Sequence, residues 1–131
     1  MTFKLIQQEC IEWMAQQPAQ SIECVITSPP YNLDIRYGKY QDDQPRDSYL
    51  KWLADISSSI KRVLTEHGQL YLNVGYSNID PWVAMDVAQV FRQDFVLQNN
   101  FTWVKHILVK GQSQGVYKPI TSERFASPTT E

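Results

Sequence analysis

Cys24-Val25-Ile26-Thr27-Ser28-Pro29-Pro30-Tyr31-Asn32 is the stretch on which the reading of this chain turns. Its first four residues form a compact, β-branched run, suited to a strand buried on both faces of a parallel sheet. Pro29 ends that strand, because proline has no N–H for a ladder and holds the residue before it in extended backbone. A stiff turn with polar side chains is therefore expected at the carboxyl end of a sheet strand, where open α/β sheets bind their ligands.

Working outward, residues 3–6 read as a short strand. Residues 9–17 place Cys10, Ile11, Trp13 and Met14 at near-helical spacing until Pro18 stops them. Residues 33–46 are polar, include Gly38, Asp42, Asp43 and Pro45, and show no period, and a segment this long without an element is usually either functional or disordered. Asp47 is expected to cap a helix with Tyr49, Leu50, Trp52, Leu53, Ile56, Ile60, Val63 and Leu64 on one face. His67 would favour the negative end of that helix, and Gly68 would stop it. Residues 69–75 read as a second buried strand. Asp80-Pro81 opens a helix carrying Trp82, Val83, Val87, Val90 and Phe91. Residues 95–109 are rich in β-branched and aromatic types and read as one or two strands, and residues 110–131 as an irregular tail. Alternation of strands and helices predicts an α/β fold: part of a doubly wound parallel sheet, helices on both faces, in one domain over residues 1–131. In that arrangement residues 28–32 and 73–77 share one edge of the sheet.

Composition sets bounds on partners. The chain has 131 residues, 43% of them apolar, which suits a domain with a real core and not a disordered tail. Twelve basic and 14 acidic residues give a net charge of −2, without the basic excess of a complete nucleic-acid binder. Cys10 and Cys24 lack metal-ligand spacing and read as reduced, buried thiols of a cytoplasmic protein. No stretch is apolar enough to span a membrane, and no basic and apolar leader stands at the N-terminus. His106 has no Cys, Asp or Glu at ligand spacing, so no metal site is expected.

The chemistry of the turn follows from its residue types. An exocyclic amine on a nucleobase is a poor nucleophile because its lone pair is delocalised into the ring. Acceptors placed on both amine hydrogens favour the pyramidal, nucleophilic form. The Ser28 hydroxyl can be one acceptor and the Pro29 carbonyl the other, with Pro29-Pro30 fixing the backbone in advance. Tyr31 offers a ring on which a base flipped out of the duplex can stack. A bare Ser-Pro-Pro after a strand is usually only a turn. Here Thr27 to Asn32 match residue by residue behind a strand of the right kind.

Those six residues resemble the catalytic motif of the DNA amino-methyltransferases of the circularly permuted beta class, in which the catalytic half precedes the cofactor half. Other segments are similar in order. Leu5 to Cys10 resembles the opening strand and turn, with Gln8-Glu9 where the family usually has Gly-Asp. Tyr31 to Tyr40 resembles the mobile active-site loop, Gly68 to Gly75 the next strand, and Trp103-Val104-Lys105 the strand pair closing the base pocket. The resemblance implies a Rossmann-like sheet, S-adenosylmethionine as methyl donor, and double-stranded DNA methylated at cytosine N4 or adenine N6. Serine in the first motif position leans slightly to cytosine and argues mildly against the related protein-glutamine enzymes, whose signature begins with asparagine. Carried over by position, Ser28, Pro29, Pro30 and Tyr31 are catalytic, and Glu9, Thr27, Ser28 and Asn32 face the cofactor. Tyr37, Lys39, Lys105 and Lys110 are candidate DNA contacts.

One family feature has no counterpart. The Phe-x-Gly-x-Gly cofactor loop is not formed by any of the five glycines, Gly38, Gly68, Gly75, Gly111 and Gly115. The chain therefore resembles the first half of such an enzyme, and a fragment, a natural truncation and one subunit of a split enzyme all stay open. A remnant that binds DNA or a partner chain without methylating alone is the alternative function. Each case predicts an exposed sheet edge able to pair with a second copy or a complementary chain. Residues 95–122 hold Lys105, Lys110, Lys118 and His106 with no acid, and suit either phosphate contact or a solvated face. Trp13, Trp52 and Trp82 are expected in the core, Trp103 in the core or the pocket wall, and Asp34 and Tyr37 in the loop.

Overall fold

The computed structural model describes residues 2–36, 38, 40–75, 80–103, 107–109 and 112–114. The elements are α1 (Cys10–Ala15), β1 (Ile22–Thr27), α2 (Arg46–Val63), β2 (Leu64–Leu72), α3 (Val83–Phe91), β3 (Ile107–Val109) and β4 (Gln112–Gln114). They fall in two compact units, Met1–Leu97 and Gln98–Glu131. In the second, β3 and β4 pair antiparallel, Ile107 opposite Gln114 and Val109 opposite Gln112.

In the first unit β1 and β2 pair in parallel, from Cys24 opposite Gln69 to Thr27 opposite Leu72, with α2 between them in sequence. The fold is thus α/β with a parallel pair, as expected from the alternation. Its core is one cluster: Met14 from α1, Tyr49, Leu53, Ile56, Ile60 and Val63 from α2, Leu64 from β2, and Val83, Val87 and Phe91 from α3. The α2 residues recur at steps of three and four, the stripe an amphipathic helix turns to its neighbours. Ile22, Val25, Leu70 and Leu72 pack on this cluster from the sheet.

Polar ties hold the helices in place. Arg62 gives hydrogen bonds to the carbonyls of Met14 and Gln17 (the latter 3.0 Å) and so closes the C-terminal end of α1. Arg46, in the first turn of α2, pairs with Asp80 and Asp86 and joins α2 to α3. Asp94 accepts from the fully buried Ser57 hydroxyl at 2.7 Å and from Lys61 at 3.4 Å.

Several expectations are corrected. The β1 strand is not buried on both faces: Cys24, Ile26, Gln69 and Tyr71 are exposed, Ile26 at 79%. Side chains alternate across a strand, and all three helices share one cluster, so the opposite face of this pair is open instead of carrying helices of its own. Cys24, on that face, is exposed, and so is Cys10 at the start of α1, so neither is the buried thiol expected. Residues 3–6 are extended but not a strand, with Phe3 and Leu5 more than nine-tenths exposed, because no described neighbour supplies a ladder. The first helix is shorter than residues 9–17. Pro45, not Asp47, stands at the N-cap of α2, and Asp47 lies in its first turn.

Helix α2 ends at Val63, five residues before Gly68, and Leu64 is already extended. His67 therefore lies in β2 and not at a helix end. The ladder steps from Ile22 opposite Leu64 to Cys24 opposite Gln69, so residues 65–68 form an irregularity in β2. A Cβ on Gly68 would lie 2.9 Å from the Leu64 side chain and 3.0 Å from the Thr65 carbonyl oxygen, which is why glycine stands there. Trp82 is 69% and Trp103 74% exposed, against a core position for both. Residues 95–103 contain no strand, and β4 lies inside the segment expected to be irregular.

The one-sided core has a measurable consequence. Leu53→Ala, which empties a fully buried position, is expected to lower the unfolding free energy by about 2–5 kcal/mol. Ile26→Thr on the open face should change it by less than about 0.5 kcal/mol. Urea titration of both variants checks the contrast, and a large loss in Ile26→Thr would mean that the open face is covered.

Candidate active site

The site is built where β1 stops. The Asn73 N–H donates to the Thr27 carbonyl at 2.9 Å, carrying the parallel ladder past the end of β2. That bond sets Ser28 beside Asn73, whose Nδ2 stands 3.4 Å from Ser28 Oγ. The exposed Ser28 hydroxyl also shares a hydrogen bond of 2.9 Å with the Tyr31 hydroxyl. Tyr31 is half-buried, its ring against Gly75: a Cβ at residue 75 would lie 2.6 Å from Tyr31 Cε2. Only glycine leaves the ring where it is.

Below the turn, the Pro30 carbonyl accepts a 2.7 Å hydrogen bond from the Tyr49 hydroxyl. Tyr49 is fully buried in the core, on the second turn of α2. Burial pushes its pKa from 10 up to about 12, with the negative charge of nearby groups such as Asp42 adding to the rise.

The backbone after the turn is held by one side chain. The N–H groups of Asn32, Leu33 and Ile35 donate to the Asp42 carboxylate at 3.0, 3.1 and 3.0 Å. The N–H of Asp34 donates to the Asp42 carbonyl at 2.8 Å. Four successive amides therefore end on Asp42, which is 3% exposed. Asn32 and Asp34 take positive φ, 57° and 59°, a conformation that these residue types tolerate best after glycine. The Asn32 side chain closes the other side: its Nδ2 donates to the Gln44 carbonyl at 2.8 Å, and its Oδ1 accepts from the Gln44 N–H at 2.7 Å. The ring of Tyr40 leans on Trp52 with centroids 5.4 Å apart. The segment expected to be a mobile loop thus carries a dense set of hydrogen bonds among its described residues.

Thr27, Ser28, Pro29, Pro30, Tyr31 and Asn32 are brought together at one strand end, with Pro29 buried and Ser28 exposed. The Asn32 amide is engaged on both sides by Gln44, which makes it a clamp on the loop. Glu9 caps α1, accepting from the Glu12 N–H at 2.9 Å, while the Cys10 thiol donates to its other oxygen at 3.3 Å. Burial works to raise the Glu9 pKa, but the N–H groups of Glu12, Ile11 and Cys10 and the thiol outweigh it and hold the carboxylate below its ordinary value. Although the Cys10 residue is exposed, the protein around its sulfur partly desolvates the thiol and, with the hydrogen bond to and charge of Glu9, pushes it up to about 11. Tyr37, Lys39, Lys105 and Lys110 lie outside the described residues, as do Ser77, His106, Lys118 and most of residues 110–131. Among the described residues no group of three His, Cys, Asp or Glu is placed to hold a metal ion, and no helix is long and apolar enough to cross a membrane.

Sequence reasoning missed Tyr49, Asp42 and Gln44 as parts of the site, and it placed Asn73 and Gly75 on the same sheet edge as Ser28 without giving either a role. A tyrosine on an otherwise apolar helix face was a usable signal, because a buried phenol needs a partner for its hydroxyl. So was the glycine closing residues 69–75, since glycine at a strand end marks a close approach. Nothing in the local pattern distinguishes Asp42 from Asp43 beside it.

A family model described as DNA methylase, of the N6 and N4 type, matches residues 22–131. The type II methyltransferase M.MjaVI of Methanocaldococcus jannaschii is 26% identical over 115 residues, 85% of this chain and 59% of that protein. M.HpaI of Haemophilus parainfluenzae, also a type II methyltransferase, is 28% identical over 85% of this chain and 33% of its own length. The DNA adenine methyltransferase YhdJ of Escherichia coli is 21% identical over 88% and 39% respectively. The chain thus spans less than two thirds of the length of these relatives.

Two outcomes are expected from the geometry. Asp42→Asn keeps the shape but turns one acceptor oxygen into a donor facing backbone N–H groups, costing about 1–3 kcal/mol. Hydrogen exchange should then accelerate at the amides of residues 32–35 before any other part of the first unit. Tyr49 ionises at about 12 in the folded chain against 10 in an unfolded one. Its contribution to stability is therefore whole below pH 10 and lost as the pH rises from 10 through 12. Tyr49→Phe should show a shallower alkaline loss over that range in denaturant titrations.

Proposed function

The chain belongs to the DNA methylase family of N6 and N4 methyltransferases, and from that premise we propose that its Ser28–Tyr31 turn orients the exocyclic amine of a flipped cytosine or adenine for methylation at N4 or N6. The observation that carries the reading is the exposed Ser28 hydroxyl at the end of β1, hydrogen-bonded to Tyr31 beside a Pro-Pro backbone tied into the core. Ser28 Oγ accepts one amine hydrogen and the Pro29 carbonyl the other, turning the nitrogen lone pair out of conjugation. The Tyr31 ring, half-exposed on Gly75, offers the stacking surface for the base. S-adenosylmethionine, when bound, supplies an electrophilic methyl group on a sulfonium. Ser28 and the Pro29 carbonyl would hold the amine nitrogen with its lone pair turned toward that methyl group. The proton then shed by the amine has a hydrogen-bonded path along the Ser28 and Tyr31 hydroxyls to water.

The chemistry of the residues present suits that donor. Glu9 is an exposed carboxylate kept ionised, suited to ribose hydroxyls. Thr27 and Ser28 bring hydroxyls to the same sheet edge. Asn32 contributes by holding the turn, since its amide is spent on Gln44. Double-stranded DNA is the substrate, of the site-specific kind suggested by the type II relatives. Lys39, Lys105 and Lys110 would meet phosphates, and Tyr37 would lie with them on the DNA side. Serine as the acceptor serves either base amine.

Calorimetric titration with S-adenosylmethionine comes first, followed by transfer of labelled methyl to duplex DNA. Saturable binding and incorporation at N4 or N6 are expected. Ser28→Ala should lower the rate by about 10²-fold while leaving cofactor affinity near that of the unaltered chain. Incorporation undiminished in Ser28→Ala would remove the turn from the reaction.

A further inference from the structure

We propose that Tyr49 is a positioning residue for the Pro29 carbonyl, acting through the hydrogen bond that its hydroxyl gives to Pro30. This rests on the reading of the turn as the amine-orienting site. From Thr27 to the Pro30 carbonyl the backbone contains few free rotations. Both prolines have φ fixed by their rings. Ser28 and Pro29 each precede a proline, so both are confined to extended backbone. The ψ angle of Pro30 is the one torsion of this stretch that neither ring nor neighbour restricts. Its carbonyl is the group that Tyr49 holds, at 2.7 Å.

The other end of the stretch is fixed as well. The Thr27 carbonyl is tied to Asn73 by the ladder. The Pro29 carbonyl thus lies between two anchors, one in the sheet and one in the core. The core anchor is stiff. Tyr49 is fully buried, and its helix contributes five residues to the hydrophobic cluster. Past the turn, Asp42 grips the amides of residues 32–35 and stops the chain from pulling the carbonyl away. Phenylalanine would fill the same volume, and it is the hydroxyl that reaches the turn.

The test is Tyr49→Phe in the full chain, with Leu53→Ala as a variant that weakens the core without touching the turn. Labelled at the carbonyl and amide positions, Tyr49→Phe should move the Pro30 carbonyl 13C resonance upfield and shift Pro29 and Tyr31, leaving β2 and α3 at their original positions. In methyl transfer, kcat should fall about tenfold, the size of one lost hydrogen bond, with KM for DNA unchanged. Leu53→Ala should lower the melting temperature further than Tyr49→Phe, without the resonance shift or the kcat loss per folded molecule. Pro30→Ala, which frees the φ that the ring fixes, should reproduce the kcat loss with the Tyr49 hydroxyl in place. Resonances of residues 29–31 unmoved in Tyr49→Phe, or moved no more than in Leu53→Ala, would overturn the proposal. If the unaltered chain transfers no methyl, the proposed reaction falls, and the resonances still decide whether Tyr49 sets the turn.

Discussion

The parallel pairing of β1 with β2 is the constraint on which the site depends. Thr27 lies opposite Leu72, and the ladder runs one bond further, from Asn73 to the Thr27 carbonyl. Two strand ends thereby finish at the same level, and the residues just past them meet. Ser28 finds the Asn73 amide, and Tyr31, three residues on, finds the bare backbone of Gly75. A one-residue slip in register would turn every side chain of β1 to the other face and carry Ser28 away from Asn73. The packing of Val25, Leu70 and Leu72 on the helices makes that slip costly. The position of the hydroxyl is therefore set by hydrophobic burial on the far side of the sheet.

Rigidity in the segment after the turn has a different origin. No regular element spans residues 32–35, yet all four amides are satisfied by one aspartate. Burying a carboxylate is costly unless its lone pairs are filled, and three N–H groups fill them. The same bonds hold Asn32 and Asp34 at positive φ, so the strain of the turn and the burial of the charge are balanced locally. With Asn32 and Gln44 bonded reciprocally, the chain entering α2 returns beside the chain leaving the motif. A polar stretch of sequence without period thus carries, among its described residues, a closed set of hydrogen bonds.

How much of this was legible depended on the range of the interaction. The helix stripe of Tyr49, Leu53, Ile56, Ile60 and Val63 is a local periodicity, and it named half of the core. The Ser28–Tyr31 turn is a contiguous motif, legible both as chemistry and by resemblance. Asn73 lies 45 positions from Ser28, yet the alternation of elements had already placed both on one sheet edge. The Tyr49 hydroxyl could have been suspected, but its partner on Pro30 is a three-dimensional fact. Failures came where the reading assumed neighbours. Val25 packs while Cys24 and Ile26 do not, and composition cannot distinguish a strand covered on both faces from one covered on a single face. Residues 3–6 and 95–103 have strand-like composition, but a strand exists only with a partner for its N–H and C=O groups. His67 was placed at a helix end because Gly68 was read as a stop, whereas Gly68 serves a close approach within β2.

The chain spans a minority of the length of two of the relatives described above, which raises the question of what this portion organises by itself. Among the described residues, the interactions that hold the Ser28–Tyr31 turn lie within residues 27–75: the ladder bond at Thr27, the Tyr49 hydroxyl, the Asp42 carboxylate and the Gly75 seat for Tyr31. The groups that suit the methyl donor are fewer. Glu9 is engaged in capping α1, and Thr27 and Ser28 lie at the margin of the acceptor turn itself. Among the described residues, the turn proposed to hold the base is therefore fixed from several directions, whereas Glu9 is held at the helix it caps. An amine-orienting site of this kind must be rigid before the donor arrives, because its task is to resist the delocalisation of a lone pair. Donor binding tolerates later assembly, since it requires only that the sulfonium be brought into line with an amine already fixed. Holding the turn from within one stretch of sequence is what would let it meet an amine in its reactive geometry, in the role proposed for it.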